Sequence, residues 1–127
     1  MIAIDTSALI AVVGEERLAE RCAEILASND LIISAATVTE CLIVGARPEY
    51  QGRVGPLLDR LQPEIIAVSE PFARLAADAY RRWGKGFHPA RLNYGDSFSY
   101  ALAELYDCPL LYVGDDFART DVRSALG

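Results

Sequence analysis

The sequence has few of the residues on which common metal and redox sites depend. Among 127 residues it contains a single histidine, His88, and three cysteines that form no CxxC pair. One histidine cannot build a zinc site, and the spacing of Cys22, Cys41 and Cys108 indicates no disulfide framework. Each cysteine lies in an apolar stretch, so we expect buried thiols in a reducing cytoplasm.

Long apolar runs and targeting segments are also missing. No uncharged run of about 18 apolar residues exists, as a transmembrane helix requires. The first residues have no basic region and carry Asp5 inside their apolar stretch, unlike a signal peptide. The turn after the first apolar run also has no glycine-rich dinucleotide fingerprint. These absences predict a cytoplasmic protein without a membrane partner.

What is present suits one folded domain spanning residues 1–127. Hydrophobic residues make up 52% of the chain, charged residues 24%, and the mean hydropathy is +0.17. Four short apolar runs alternate with helix-period segments, which indicates a mainly parallel sheet with helices on both faces.

The predicted strands are Ile2–Ile4, Leu31–Ser34, Ile65–Val68 and Leu110–Val113. We predict helices over about 7–13, 16–28, 36–46, 52–61, 70–83 and 96–107. The expected fold is α/β and Rossmann-like, with four to five strands.

Acidic residues fall where the strands of such a sheet end, which is where ligands bind in open parallel sheets. Asp5 ends the first strand, Glu40 lies inside an apolar helix after the second, and Asp96 stands near the start of a late helix. Asp115 and Asp116 follow the fourth strand. The helix that holds Glu40 is apolar on every side, so we expect it to be largely buried.

Each acid also has a purely structural explanation. Asp5 and Asp96 can cap helices, Asp115 and Asp116 can occupy a turn, and Glu40 can pair with a buried arginine. Four such coincidences are needed to explain all of them. Several carboxylates on one rim instead favour a hard cation, Mg²⁺ or Mn²⁺, and with it the hydrolysis of a phosphodiester.

Charge is distributed unevenly along the chain. The net charge is −6, which repels nucleic acid from the molecule as a whole. Between residues 81 and 91, however, all charged side chains are basic, and they include Arg82, Lys85 and Arg91. With Phe87 and Tyr94 nearby, this segment is typical of a single-stranded nucleic-acid site. We therefore predict that Arg82, Lys85 and Arg91 bind the substrate; a solvated helix end is the alternative.

Four motifs in this order make the whole chain resemble the PIN-domain ribonucleases, specifically the VapC toxins of VapBC toxin–antitoxin systems. They are Asp5-Thr6-Ser7-Ala8, the lone Glu40, Leu92-Asn93-Tyr94-Gly95-Asp96-Ser97-Phe98 and Leu110-Leu111-Tyr112-Val113-Gly114-Asp115-Asp116-Phe117.

The resemblance implies a Mg²⁺- or Mn²⁺-dependent endoribonuclease that forms a homodimer. It also implies inhibition by a VapB-type antitoxin, in a heterotetramer or a larger assembly. Asp5, Glu40 and Asp96 match the family's metal-binding acids. The fourth position is Asp115 or Asp116, with Asp115 slightly favoured. Thr6 and Ser7 are expected to support Asp5 or to contact a bound water or the substrate.

Two other interpretations remain open from the sequence. A haloacid-dehalogenase-like phosphatase also begins with a strand that ends in Asp, but it has a second Asp where this chain has Ser7. The second interpretation is a non-enzymatic Rossmann-like binding module whose acids bind an arginine of a partner. Saturable Mn²⁺ binding that depends on Asp96 separates the nuclease from the module.

Overall fold

A parallel sheet of four strands in the order β3-β2-β1-β4 forms the centre of the molecule. The computed structural model describes residues 1–127. The strands are β1 (Ile2–Ile4), β2 (Leu31–Ser34), β3 (Glu64–Ile66) and β4 (Leu110–Leu111). The chain near Ser124 pairs with Leu110 in parallel beyond β4. The predicted α/β class and parallel sheet are confirmed.

Six α-helices connect the strands and flank the sheet. They are α1 (Thr6–Val13), α2 (Ala19–Ser28), α3 (Ala35–Gly45), α4 (Val54–Leu61), α5 (Glu70–Trp83) and α6 (Tyr94–Leu105), with a short 3-10 helix at Pro48–Tyr50. The predicted bounds of α5 are confirmed. Ser69 caps it by accepting a hydrogen bond from the Phe72 N–H, and Gly84 ends it.

Strand β3 is Glu64–Ile66 instead of Ile65–Val68, and β4 ends at Leu111 instead of Val113. Several helix boundaries also differ from the prediction by one to three residues, two of them for clear local reasons. Helix α6 begins at Tyr94, because Asn93 is its N-cap and Asp96 is its third residue. The predicted helix from residue 16 begins at Ala19, since Glu15 has a φ of 52° and the chain turns there between α1 and α2. In both cases side-chain or backbone turn geometry decides where the helix starts.

Strands β1, β2 and β4 bury both of their faces, whereas the edge strand β3 is largely exposed. Ala3 and Ile32 belong to a core that includes residues of α5 and α6, whereas Ile4 and Ile33 belong to a second core with residues of α1, α2 and α4. Successive strand side chains point to opposite faces, so a continuous apolar run supplies both cores. This explains why the strands show no polar alternation.

Helix α3 corrects one expectation. Its buried residues are Thr37, Cys41 and Gly45, whereas Ile43 is 68% exposed. Only one side of the helix packs on the protein, so its apolar composition does not reflect burial on every side. Separately, no helix combines the length and apolar character needed to cross a membrane.

Candidate active site

Asp5 is held from two sides at the carboxyl end of β1. It is 3% exposed and is the N-cap of α1. Its Oδ2 accepts hydrogen bonds from the Ser7 N–H at 3.0 Å and the Ser7 hydroxyl at 2.6 Å. Its Oδ1 accepts one from the Ser99 hydroxyl at 2.6 Å. Asp5 therefore caps a helix and also contacts α6, so capping accounts for only part of its surroundings.

Glu40 reaches the same region from α3. Its Oε1 accepts a hydrogen bond from the Thr6 hydroxyl at 2.5 Å. A Cβ added to Gly95 would collide with Glu40 Oε2, so a larger residue at this position would displace the Glu40 carboxylate. Glu40 is only partly buried, and its partner is a threonine, which replaces the buried arginine considered above.

Asp96 is the most perturbed acid of the site. It is 6% exposed and shares a capping box with Asn93, whose N–H donates to Asp96 Oδ2 at 3.0 Å. Burial raises the pKa of Asp96 to about 7, and the negative charges of Asp5, Asp116 and Glu40 act in the same direction. The hydrogen bond from Asn93 opposes this increase. At neutral pH this carboxyl is partly protonated.

The turn after β4 carries the last two acids. Asp115 and Asp116 are both exposed. The charge of Asp116 acts on Asp96, whereas Asp115 is not among the groups that shift the Asp96 pKa. Of the two residues, Asp116 is therefore the one that acts on the Asp96 carboxyl, although the sequence slightly favoured Asp115.

Buried hydroxyls lie among these acids, and two of them carry no signal in the sequence. Ser99 and Thr37 are buried, and their hydroxyl oxygens are 3.4 Å apart. Ser7 Oγ also accepts a hydrogen bond from the Val113 N–H at 3.0 Å, which connects α1 to the end of β4. The spacing of Asp96 and Ser99 places both on one face of a helix. The spacing gives no indication that the Ser99 hydroxyl donates a hydrogen bond to Asp5.

The hydroxyls of Thr6 and Ser7 contact other side chains of the protein. The Thr6 hydroxyl donates to Glu40 and accepts from the Cys41 thiol at 3.5 Å. Burial raises the pKa of Cys41 to about 12, so this thiol stays protonated. The hydroxyl of Ser7 donates to Asp5. These two side chains therefore position carboxylates, as the sequence predicted for Asp5.

The acids supply only oxygen ligands, which suits a hard divalent cation. Their carboxylates already accept hydrogen bonds from Ser7, Ser99, Thr6 and Asn93. With the side chains in these conformations, no three Asp, Glu, His or Cys residues are close enough together to hold a metal ion. Negative charge nevertheless accumulates around Asp96, and a cation at this place would relieve the repulsion.

Arg82, one of the predicted substrate contacts, is bound within the protein. Its guanidinium contacts Glu104 at 3.0 Å and Asp121 at 3.7 Å, and it donates a hydrogen bond to the Tyr100 hydroxyl at 3.2 Å. Lys85 and Arg91 are exposed and form no ion pair. The structure therefore leaves Lys85 and Arg91 unpaired, whereas the Arg82 guanidinium is already bound by groups of the protein.

Comparison with known proteins decides the family. The PIN-domain family model matches residues 2–123. This chain belongs to the PIN-domain family. Two relatives of this PIN domain are ribonucleases VapC42 and VapC30 of Mycobacterium tuberculosis, each 44% identical to it. The alignment with VapC42 covers 96% of this chain and 97% of the relative, and the alignment with VapC30 covers 95% of both. The chain is therefore a VapC-type PIN domain, which excludes the haloacid-dehalogenase-like alternative.

Solved structures show the same PIN fold. The crystal structure of Mycobacterium tuberculosis VapC20, a toxin that cleaves the sarcin-ricin loop, superposes with a TM-score of 0.74 at 18% identity and covers 96% of both chains. A toxin–antitoxin complex from Klebsiella pneumoniae gives a TM-score of 0.73 at 22% identity and covers 100% of this chain and 98% of that chain. At these identities the likeness concerns the fold.

Proposed function

We propose that this PIN domain is a toxin that cleaves RNA as a Mg²⁺- or Mn²⁺-dependent endoribonuclease. The observation that carries the proposal is the group formed by Asp5, Glu40, Asp96 and Asp116, in which Asp96 has a pKa raised to about 7. Membership in the VapC ribonuclease family supports the same activity.

Asp5, Glu40, Asp96 and Asp116 would hold the metal, with Asp115 as the alternative to Asp116. A bound Mg²⁺ or Mn²⁺ activates water and neutralises charge on a phosphodiester. The hydroxyls of Ser7, Ser99 and Thr6 keep Asp5 and Glu40 in place. Asp96 is buried between other acids, so it binds a cation well only after it loses its proton.

Lys85 and Arg91 would bind the phosphates that flank the cleaved bond. Both residues belong to the connection between α5 and α6, and the Lys85 N–H donates to the Leu92 carbonyl at 2.9 Å. Leu92 directly precedes Asn93, the N-cap of the helix that contains Asp96. This link supports a position of the two basic side chains beside the N-terminus of α6, in a chain whose net charge is −6.

The proposed protein partners are a VapB-type antitoxin and a second copy of the chain. An arginine of the antitoxin can form bidentate hydrogen bonds with carboxylates that otherwise hold metal. One solved relative of this fold is a toxin–antitoxin complex. A homodimer bound to antitoxin would form a heterotetramer or a larger assembly, in the cytoplasm.

Cleavage of a labelled single-stranded RNA tests the activity. We expect the parent protein to cleave in Mn²⁺ and to stop in EDTA, and Asp5→Asn to lose cleavage by orders of magnitude, which corresponds to several kcal/mol of transition-state stabilisation. The matched control is Asp30→Asn, which changes an exposed acid that precedes β2 at the opposite edge of the sheet.

The two variants distinguish the possible results. Loss in Asp5→Asn together with full activity in Asp30→Asn supports the metal-binding role. EDTA-sensitive cleavage at the parent level in Asp5→Asn contradicts it. A parent that neither binds Mn²⁺ nor cleaves RNA would favour the binding-module alternative.

A further inference from the structure

An apolar groove runs between α5 and the beginning of α6, beside the acids. It encloses about 430 Å³, a size typical of sites for small organic groups. Ala73, Ala76 and Ala77 of α5 contribute to its lining. Aromatic rings from Tyr80 and Phe87 and from Tyr94 and Phe98 supply most of the remaining apolar surface. None of these residues has a role in the activity proposed above.

Two of the rings are unusually open to solvent. Tyr94 is 75% exposed and Phe87 is 61% exposed. Each is supported by an edge contact with a neighbouring ring, Tyr94 with Phe98 at 5.1 Å and Phe87 with Tyr80 at 6.0 Å between centroids. The supports hold both rings against the protein and leave much of their surface available to a flat partner.

Helical periodicity makes α6 contribute to both the groove and the acidic site. Tyr94, Ser97 and Phe98 are spaced by three and four residues and line the groove. Gly95 and Ser99, also four apart, contact Glu40 and Asp5 on another side of the same helix. Residues at these spacings share a helix face, so the groove and the carboxylates lie on different sides of the same part of α6.

The charges around the groove indicate which planar ligand fits it best. The groove is mostly apolar, and Arg81, which lines it, is paired with Asp78. Lys85 and Arg91, in the connection that carries Phe87, are exposed and without an ion pair. Single-stranded RNA has both matching parts, because its bases have apolar faces and its backbone is anionic. Proteins that bind single strands combine basic grooves with aromatic stacking surfaces in this manner.

We propose that this groove binds an unpaired base of the RNA, stacked on Tyr94 and Phe87, while Lys85 and Arg91 contact the adjacent phosphates. The proposal depends on the proposed function in taking RNA as the ligand, and it adds a base-binding subsite. Stacking accepts any base, so this subsite selects single-stranded RNA over a duplex, whose bases are already paired and stacked.

The test measures RNA binding in EDTA, where cleavage cannot interfere. Fluorescence anisotropy compares a short oligouridylate with an abasic ribose-phosphate oligomer of equal length. We expect Tyr94→Ala and Phe87→Ala each to weaken oligouridylate binding by roughly tenfold, with little change for the abasic oligomer. Tyr94→Phe keeps the ring and should keep the affinity.

Tyr106→Ala is the matched control, because Tyr106 is an exposed tyrosine at the opposite end of α6. It should bind both oligomers as the parent does. Circular dichroism and thermal melts establish that each variant is folded. An equal loss for both oligomers, or no loss in either alanine variant, overturns the subsite.

Two further measurements distinguish the base-binding subsite from a dimer interface and from the ribonuclease activity itself. If Tyr94→Ala dissociates a parent dimer in sedimentation while its affinity for oligouridylate is unchanged, the groove is an interface between copies, and the proposal is wrong. If the parent binds RNA through these rings but does not cleave it in Mn²⁺, the subsite stands and the ribonuclease proposal fails. If the parent cleaves RNA but its binding does not depend on the rings, the ribonuclease proposal stands and the subsite fails.

Discussion

At the residue scale, Asp96 shows how the site opposes folding. Its carboxyl is buried beside other acids, and the pKa is raised to about 7 by burial and by those charges. An unfolded aspartate has a pKa of about 3.9. Between about pH 4 and about pH 7, the folded state therefore holds a proton on Asp96 that the unfolded state has released. Stability from Asp96 is complete below about pH 4 and is lost as the pH rises through about 7.

The first prediction concerns Asp96→Asn in EDTA. Asparagine removes the charge and keeps an oxygen that can accept the Asn93 N–H. We expect the variant to melt several degrees above the parent at about pH 8, and the difference to shrink at about pH 5, where the parent carboxyl is protonated. Scanning calorimetry of both proteins at the two pH values measures this.

The same melts with Mn²⁺ add a second criterion. At a hundredfold excess over its dissociation constant, a ligand of the folded state adds roughly 2.7 kcal/mol, so the parent should gain several degrees and Asp96→Asn less. A parent that does not respond to Mn²⁺, together with a variant that melts lower because a helix cap is weakened, would refute the metal site.

Ser99 allows a second prediction at this scale. Its hydroxyl donates to Asp5 at 2.6 Å, and hydrogen bonds to a metal-binding carboxylate typically change metal affinity by about 10- to 100-fold. We expect Ser99→Ala to raise the Mn²⁺ dissociation constant by at least about tenfold. Isothermal titration calorimetry measures this without relying on activity.

Ser97→Ala is the control for Ser99→Ala. Ser97 is also buried in α6, but its hydroxyl donates to the Tyr94 carbonyl at 2.6 Å and contacts no acid. Its loss should leave Mn²⁺ affinity nearly unchanged. Equal effects of the two substitutions would mean that Ser99 acts only through the packing of α6.

At the scale of elements, α5, α6 and the C-terminal segment are joined by one polar cluster. The Tyr100 hydroxyl, in α6, donates a hydrogen bond to Asp121 and accepts one from Arg82 of α5. Burial, together with the bond to Asp121, raises the pKa of Tyr100 to about 12, so it stays neutral. The cluster holds the segment after β4, which also carries Asp116, against the two helices.

The third prediction is that Tyr100→Phe lowers the free energy of unfolding by about 1 kcal/mol, a typical net value for a hydrogen bond. The loss stays small because Asp121 is exposed and is solvated by water when its donor is removed. Urea unfolding measures the change, with Tyr106→Phe as a control that removes a tyrosine hydroxyl outside this cluster. A variant as stable as the parent would show that the cluster contributes nothing.

At the scale of the whole molecule, electrostatics oppose RNA binding except in one segment. The net charge is −6, so phosphates are attracted only where unpaired basic side chains gather. Arg81 is paired with Asp78, and Arg82 with Glu104 and Asp121. Lys85 and Arg91 therefore supply most of the local attraction, although four basic residues lie in this part of the sequence.

The fourth prediction follows from counterion release. For single strands, each phosphate contact contributes about 0.7 to the slope of log K against log salt concentration. Replacing Lys85 and Arg91 with alanine should reduce the slope by about 1.4, and Arg82→Ala should leave it nearly unchanged. Binding titrations in EDTA over a range of salt concentrations measure this; a larger slope change for Arg82→Ala would reverse the assignment.

The sequence was sufficient for the fold class and for the positions of most elements. Ile2–Ile4 and Leu31–Ser34 are strands as predicted, and α5 has its predicted bounds, because short apolar runs, caps and helix-ending glycines are local signals. The ends of α6 and the exposure of Ile43 were not predictable in this way. They depend on the Asn93 cap and on which side of α3 faces the protein.

By itself, the sequence determined which acids follow the strands, because the alternation of strands and helices along the chain follows from the apolar pattern. The tertiary structure alone decided what each acid touches. The hydrogen bonds from Ser99 to Asp5 and from Thr6 to Glu40 join residues 94 and 34 positions apart. It also decided that Arg82 is occupied while Lys85 is free. Such contacts arise from how helices pack over the sheet, and the local spacing of residues carries no information about partners so distant in the chain.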